Sequence, residues 1–560
     1  MKKRITSLLF ASILALSMTA CGNGKDSTGS NNGGGESENT GMITQQPLTL
    51  ENFNADYYPV SSEIKQMNGT IDVVIQFEST EPAWQALADE YQRLHSDAVT
   101  VNIGIEGIQS NYRDKLTTEL NSGKTDWDIV QGNLVNDLSA KCVNMAGAIN
   151  KKNAYAGNVS WKKVLTENAY KTDASGSSSV YIINSQNLQT AWFVNTVAFD
   201  AAQTEAKKDG VTLKQTPETW DELMSVCEYM KKAGYKYPLG ISVQEDSVNG
   251  YQFSWLLRVY GDYYYRNEYD IINDDATYKV DVTSESPESD IKYGVSPTKF
   301  FNVILDQTSQ YYRGAKSDKY KEFVSQLAKM KDYLHVSASS LTFENMRSKF
   351  RTQSDGKDSP QIMLDYAGSG LSFNDIDGTF ASDFFDYPYM VSDGGYIKDG
   401  TLMRDVGGNG GYLSIVNHNS AQNELNLDFI KFVMSPYGQT IYYGALSKTD
   451  VAPQGITTVK NDLVVVPERW SNFFNTSKIS FTGQSDNNEF VKSFMRYINS
   501  DSDNIKTSIT IWQGLLGNGN VTVDQFADKW NESLLKAWSK YANAQGWKED
   551  CYKTWGGDTN

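Results

Sequence analysis

The stretch Ile71-Asp72-Val73-Val74-Ile75-Gln76-Phe77 places Ile71, Val73, Ile75 and Phe77 on one side of an extended chain and Asp72, Val74 and Gln76 on the other. A period of two predicts a strand with a buried face. Downstream, Trp84, Leu87, Ala88, Tyr91 and Leu94 recur at helical spacing behind Pro82, a residue suited to a first helical turn. Val99, Val101, Ile103 and Ile105 alternate as a second strand. Tyr112, Leu116 and Leu120 predict a second helix, and Asp128-Ile129-Val130 opens a third strand. Strands alternating with helices predict a parallel sheet covered by helices. Ligands of such sheets bind beyond the carboxyl ends of the strands, here Phe77-Glu78 and Val130-Gln131-Gly132-Asn133.

A second unit begins near Trp192, where Val194 to Phe199 suits a strand. Thr219 with Glu222 fits a capping box, and Leu223, Val226, Cys227 and Met230 give the following helix its apolar face. Tyr263 to Ser296, rich in Tyr, Asp and Asn with weak periodicity, reads as a surface excursion. Helical patterns resume over Phe300 to Phe350. Ile362-Met363-Leu364 forms a short strand ending at Asp365-Tyr366, and Gly407 to Gly411 precedes the strand Tyr412 to Val416. Leu425, Phe429, Phe432 and Val433 mark a further helix, and Phe526 to Trp538 the last.

The chain opens on Lys2, Lys3 and Arg4, then an apolar run from Ile5 to Leu16, then Met18-Thr19-Ala20-Cys21. A basic start, a short apolar run and small residues describe a secretory signal, residues 1–20. The run is too short to span a bilayer, which takes about 20 residues. Cys21 after small residues resembles a bacterial lipobox, with Met18 where Leu is usual, and that resemblance implies a lipidated Cys21. Residues 21–60 then form a flexible tether, whose Gly22 to Gly41 portion is almost all Gly, Ser, Asn, Thr and Glu. Some twenty such residues reach roughly 25 Å.

Without the three cations of the leader, 48 basic residues face 68 acidic ones. That balance argues against nucleic acid and against electrostatic adhesion to anionic lipid. Besides Cys21 there are Cys142, Cys227 and Cys551, an odd number for which no essential disulfide is expected. His95, His335 and His418 stand far apart, so no metal site and no cofactor are expected.

Four stretches carry a resemblance to extracellular solute-binding protein family 1, the carbohydrate-binding components of ABC importers. They are the opening strand and Trp84 helix with Tyr112-x-x-Lys115-Leu116, Ser122-Gly123 and Asp128-Ile129; Phe193-Val194-Asn195 leading to Pro217-x-Thr219-Trp220-Asp221-Glu222-Leu223, Ala233-Gly234 and Tyr237-Pro238-Leu239; the Gly407 to Val416 turn and strand with the Leu427 to Met434 helix; and Val451-Ala452-Pro453. They occur in the family's order from Gly69 to Trp538. The resemblance implies an α/β, two-lobed fold of the periplasmic-binding-protein type (type II) with hinge strands between the lobes. Lobe one would take residues 65–185 and 385–440, and lobe two 190–380 and 445–560. It further implies a monomer that captures a carbohydrate, delivers it to ABC permease subunits and has no catalytic residues of its own. The chain exceeds the family's usual core.

A sugar offers apolar C–H faces and a rim of hydroxyls, so its site needs flat aromatic rings and fixed donors and acceptors. The family-matched cleft positions hold such residues: Glu78, Gln131, Asn133, Gln244, Trp255, Asp365, Tyr366 and Asn409. Trp192, at the expected crossing, and Trp512, from the C-terminal segment, join them. For each one, core packing or a solvated loop is the competing assignment.

Other motifs are incomplete. Ser122-Gly123-Lys124-Thr125 resembles half a phosphate loop, but Thr118 stands where its first Gly belongs. Asp375-Ile376-Asp377-Gly378 lacks the first acid and final Glu of a calcium loop. Two alternatives stay open: a surface glycan hydrolase, which needs two carboxyls about 5–10 Å apart, and the same fold holding a non-sugar solute. If Cys21 carries the anchor, Cys21→Ala will move the protein from the detergent phase to the aqueous phase in a Triton X-114 partition of its host's membranes. An unchanged partition would remove the anchor.

Overall fold

The computed structural model describes residues 58–544 apart from 106–108, 133–140, 167–168, 171–178, 189, 273–280, 284–295, 367–380, 407–408, 450, 452–454, 467–493, 495–500 and 518. Contacts divide the chain into Met1–Ile43 and Thr44–Asn560. The first unit lies outside the described residues, as do Cys21 and Cys551.

The alternating stretch forms β1 (Gly69–Ile75), which pairs in parallel with β2 (Val99–Ile105) along its whole length. On its other side β1 pairs in parallel with β3 (Ile129–Gln131). The Glu81–Leu94 helix, with Pro82 in its first turn, buries Ala83, Trp84, Leu87, Ala88 and Tyr91. Val74, assigned by alternation to the opposite face, is buried too. It packs with Leu116, Leu120, Val130, Cys142 and Val416 in a second, smaller cluster. Helices therefore cover both faces of β1, as the parallel-sheet reading requires.

The rest of this sheet comes from far along the chain. Strand β9 (Asn409–Ile415) inserts antiparallel between β3 and β4 (Ile183–Asn187), and β10 (Ile456–Thr457) closes the edge beside β4. The six-stranded order is β10-β4-β9-β3-β1-β2. A separate four-stranded sheet has the order β6-β7-β5-β8, built from β5 (Thr190–Asn195), β6 (Leu239–Gly240), β7 (Ile362–Tyr366) and β8 (Ser382–Phe385). Central β5 pairs antiparallel with both β7 and β8, and all six of its residues are buried. The fold is α/β with two lobes, and the chain crosses between the sheets from β4 to β5 and again from β8 to β9.

Local rules account for the helices around the second sheet. Thr219 Oγ1 accepts from the backbone N–H of Glu222 at 3.2 Å, and Glu222 Oε2 accepts from that of Thr219 at 3.1 Å, which is the capping box. The Trp220–Lys232 helix then buries Leu223, Val226, Cys227 and Met230. Cys142 and Cys227 are buried free thiols, and burial pushes the Cys142 pKa up to about 11.

The surface reading of Tyr263 to Ser296 fails at its start. Tyr263, Tyr264 and Tyr265 end the Gln252–Tyr265 helix, every residue of which is buried. Periodicity is weak there because the helix is enclosed on all sides. Its polar atoms find interior partners instead: Tyr260 donates to the Pro388 carbonyl at 2.9 Å, and Tyr265 to that of Arg313 at 3.0 Å. The Asp262 carboxylate receives both Nε (2.9 Å) and Nη2 of buried Arg404. Ser502–Leu516 and Val523–Ala544 form the last two helices of the described chain. Among the described residues no helix is long and apolar enough to cross a membrane.

Thr219→Ala is expected to remove about 1 kcal/mol of stability through the lost cap, read as a lower urea midpoint at unchanged slope. An unmoved midpoint would mean the cap contributes nothing.

Candidate functional site

Strand polarity determines where a ligand could lie. In the first sheet β1 and β3 are parallel and end at Ile75 and Gln131. Antiparallel β9 runs past that end, so Gln131 faces Leu413 while Asn409 lies further out, opposite Asn187. Three residues after Asn187, β5 begins the second sheet at Thr190, paired with Tyr366, the carboxyl-terminal residue of β7. Both sheets thus turn carboxyl ends toward the junction where the chain crosses, the place where α/β sheets bind ligands.

The second-sheet side of this junction is aromatic. Trp255 packs on Tyr366 with ring centroids 4.8 Å apart and meets Phe343 edge-on at 5.4 Å. Tyr251 stacks on Phe343 at 5.0 Å with planes 17° apart. Trp255 and Phe343 are buried, whereas Tyr251 and Tyr366 keep part of their surface open. Burial pushes the Tyr366 pKa up, so its hydroxyl stays protonated. Phe343 and Arg347 sit on the Phe343–Thr352 helix, capped by Thr342, and the Arg347 guanidinium lies 4.4 Å from the centre of the Phe343 ring.

The charges here are tied together. Arg347 grips Asp365 through two parallel bonds, Nε to Oδ2 at 2.7 Å and Nη2 to Oδ1 at 2.6 Å. Its Nη1 donates to both oxygens of Glu344, at 2.9 and 2.8 Å. Asp365 is fully buried, so the fork from Arg347 is what makes its position tolerable. Gln244 caps the Glu245–Asn249 helix, its Oε1 accepting from the Asp246 N–H at 2.9 Å. Asp246 in turn accepts from the Phe343 N–H at 2.9 Å. Trp255, Asp365, Tyr366 and, through Asp246, Gln244 therefore belong to one connected neighbourhood. Tyr251, Glu344 and Arg347, absent from the sequence reading, belong to it as well. The signal for Tyr251 is its place four residues before Trp255; that for Glu344 and Arg347 is their i, i+3 spacing.

Other expected residues lie elsewhere. Trp192 is fully buried in the second sheet, 6.3 Å from Phe385 at an interplanar angle of 10° and edge-on to Trp220. Trp512 is buried against Phe253 and Phe526. In this conformation both indoles are core: Trp192 lies on a strand buried along its whole length, and Trp512 on the buried face of the Ser502–Leu516 helix. Glu78 is exposed at the start of the 3-10 turn after β1. Gln131 is buried, and its Oε1 accepts from the Gln76 N–H at 3.0 Å, linking the carboxyl ends of β1 and β3. Asn133 lies outside the described residues, as does Asp375 to Gly378, while Asn409 is placed by its backbone pairing alone. Among the described residues no three His, Cys, Asp or Glu side chains are grouped so as to hold a metal ion.

A family model described as bacterial extracellular solute-binding protein matches residues 77–440. Among solved structures, a chitin oligosaccharide binding protein aligns at TM-score 0.49 with 14% identity, covering 84% of this chain and 99% of that one. A binding protein of an ABC transporter from Bifidobacterium animalis subsp. lactis, solved with mannobiose, aligns at 0.48 with 16% identity, covering 86% and 99%. The cyclic alpha-maltosyl-1,6-maltose binding protein of Arthrobacter globiformis aligns at 0.49 with 12% identity, covering 84% and 100%. No curated protein matches the chain.

Arg347→Ala leaves a buried carboxylate without its fork and is expected to cost roughly 3–5 kcal/mol, with the double change R347M/D365L recovering most of the loss. Urea denaturation of the three proteins measures this. A loss below about 1 kcal/mol in R347A would place the pair among weak surface bridges.

Proposed function

The chain belongs to the bacterial extracellular solute-binding proteins, and from that premise we propose that it captures a carbohydrate, an oligosaccharide, between its lobes and delivers it to an ABC permease. The observation that carries this reading is the partly open aromatic pair Tyr251 and Tyr366, backed by Trp255, at the junction to which both sheets turn their carboxyl ends. Rings at such a place cover the C–H faces of a pyranose, and the Tyr hydroxyls and the Glu344 carboxylate are suited to its hydroxyl rim. Glu78, Gln131 and Asn409, at or just beyond strand ends, are proposed as the first-lobe contribution, together with Asn133, which lies outside the described residues. Trp192 and Trp512 act behind the site as packing.

The proposed lobes are residues 65–185 with 385–440, and 190–380 with 445–560, with the correction that β10 (Ile456–Thr457) pairs with β4, so the start of the last segment belongs to the first sheet and not to lobe two. Cys21 is proposed as the lipidated residue and residues 21–60 as the tether, which would hold a monomer on the outer face of the cell membrane. Binding without catalysis is favoured over hydrolysis by the state of the carboxylates. Asp365 and Glu344 both hold Arg347, whereas a glycosidase needs one acid protonated and its partner free to attack or activate water.

Titration calorimetry against a panel of plant, host and storage oligosaccharides tests the proposal. At least one glycan should bind at micromolar concentration or tighter and be recovered intact. Tyr366→Ala should weaken that affinity by about tenfold or more, the scale of one lost stacking contact, with unchanged circular dichroism. Silence across the panel would remove the sugar, and new reducing ends in the incubated sample would restore the hydrolase.

A further inference from the structure

Where the chain passes between the sheets, one carboxyl group touches both crossings. Asp405 lies in the segment that returns from β8 to β9, and it is 2% exposed. Its Oδ2 accepts from the backbone N–H of Thr190, the first residue of β5, at 2.9 Å. Its Oδ1 accepts from the Thr190 hydroxyl at 2.7 Å and from the Val406 N–H at 2.5 Å. The Thr190 hydroxyl lies 2.7 Å from that of Tyr387, which also belongs to the returning segment. Three donors thus converge on a buried carboxyl group, and all of them come from the two crossings.

We propose that Asp405, Thr190 and Tyr387 form a proton-dependent latch that fastens the two inter-sheet crossings to one another. The latch would regulate the lobe motion that the solute-binding reading requires, and in that respect it rests on that reading. Its physical basis is a reversible hydrogen-bond chain. With Asp405 ionised, the Thr190 hydroxyl donates to it and accepts from Tyr387. With Asp405 protonated, the acid donates to the Thr190 hydroxyl, which turns to Tyr387, and the bonds from the Thr190 and Val406 amides are kept. The neutral form therefore keeps these contacts without a buried negative charge.

Burial and a neighbouring negative charge favour that neutral form and outweigh the three donors, which favour the ionised one. Tyr260, from the Gln252–Tyr265 helix, faces Tyr387 with ring centroids 5.9 Å apart. From the same helix Arg258 donates to the Val406 carbonyl at 3.2 Å. Arg404, next in the chain, is engaged by Asp262. Asp386 adds a negative charge nearby. Burial, reinforced by Asp386, pushes the Asp405 pKa up to about 7, well above the value near 3.9 of a hydrated aspartate. The sign follows from linkage: a raised carboxyl pKa gives a latch that is tight at low pH and loosens as pH rises through about 7.

Hydrogen exchange of the full chain, corrected for the intrinsic pH dependence of amide exchange, tests this without any ligand. The wild-type peptides containing Thr190 and Val406 should lose protection by about tenfold or more between pH 5 and pH 8. Asp405→Asn, which mimics the neutral acid, should hold the low-pH protection at both values. Thr190→Val, which removes the relay hydroxyl while leaving the amide donor, should reduce protection most at pH 5. An equal pH response in wild type and D405N would overturn the latch. A silent glycan panel would remove the sugar reading and leave this result standing.

Discussion

Two residues separate Asn187, the end of a strand in one sheet, from Thr190, the start of a strand in the other. Three Cα–Cα steps span at most about 11 Å, so the two sheets must approach one another at that point. The other constraints follow from it. Returning chain has to re-enter the first sheet beside the same crossing, which it does as β9, pairing Asn409 with Asn187. Strand polarity then points the carboxyl ends of both sheets at a shared junction. The aromatic neighbourhood of Tyr251, Trp255 and Tyr366 stands where those ends meet.

Buried ion pairs around the second sheet and its helices are unusually committed. Asp262 with Arg404 and Asp365 with Arg347 are forked pairs, and Lys319 meets Glu268 at 2.6 Å with both side chains almost fully buried. Pairs of this kind return little net stability, because desolvation consumes most of the attraction. Their directional geometry nevertheless penalises misplacement. Arg404 is held to the Gln252–Tyr265 helix immediately before Asp405 reaches Thr190. Gly411 shows the same economy of space in β9: its φ is +57°, and a Cβ there would lie 2.0 Å from Ser185 Oγ on the neighbouring strand. Only glycine lets β9 lie this close to β4.

Much of this was legible in the residues. Alternation over Ile71 to Phe77 and helical spacing from Trp84 to Tyr91 gave the first units of the parallel sheet. Thr219 and Glu222 located a helix start through their own side-chain chemistry. The strand ending at Asp365-Tyr366 led to the aromatic side of the junction. Sequence patterns failed where burial is complete. All of β5 is buried and every side of the Gln252–Tyr265 helix is covered, so neither shows a periodicity that distinguishes core from cleft. For that reason Trp192 could not be told from Trp255 by residue type, whereas Trp512 lies on the buried face of the amphipathic Ser502–Leu516 helix. Arg347 escaped notice because its role depends on Asp365, eighteen residues along the chain and brought beside it only by folding.

The interleaving of the first sheet also sets an order of assembly. The second sheet draws its four strands from Thr190 to Phe385 without interruption. The first has β1 to β4 in hand by Asn187, yet β3 and β4 are not joined until β9 slides between them. As the polypeptide emerges, the early half of that sheet waits with two unsatisfied ladder edges while more than two hundred further residues are made. Holdase chaperones would have their greatest effect in this interval, and a nascent chain halted before Asn409 should be far more prone to self-association than one halted after Thr457.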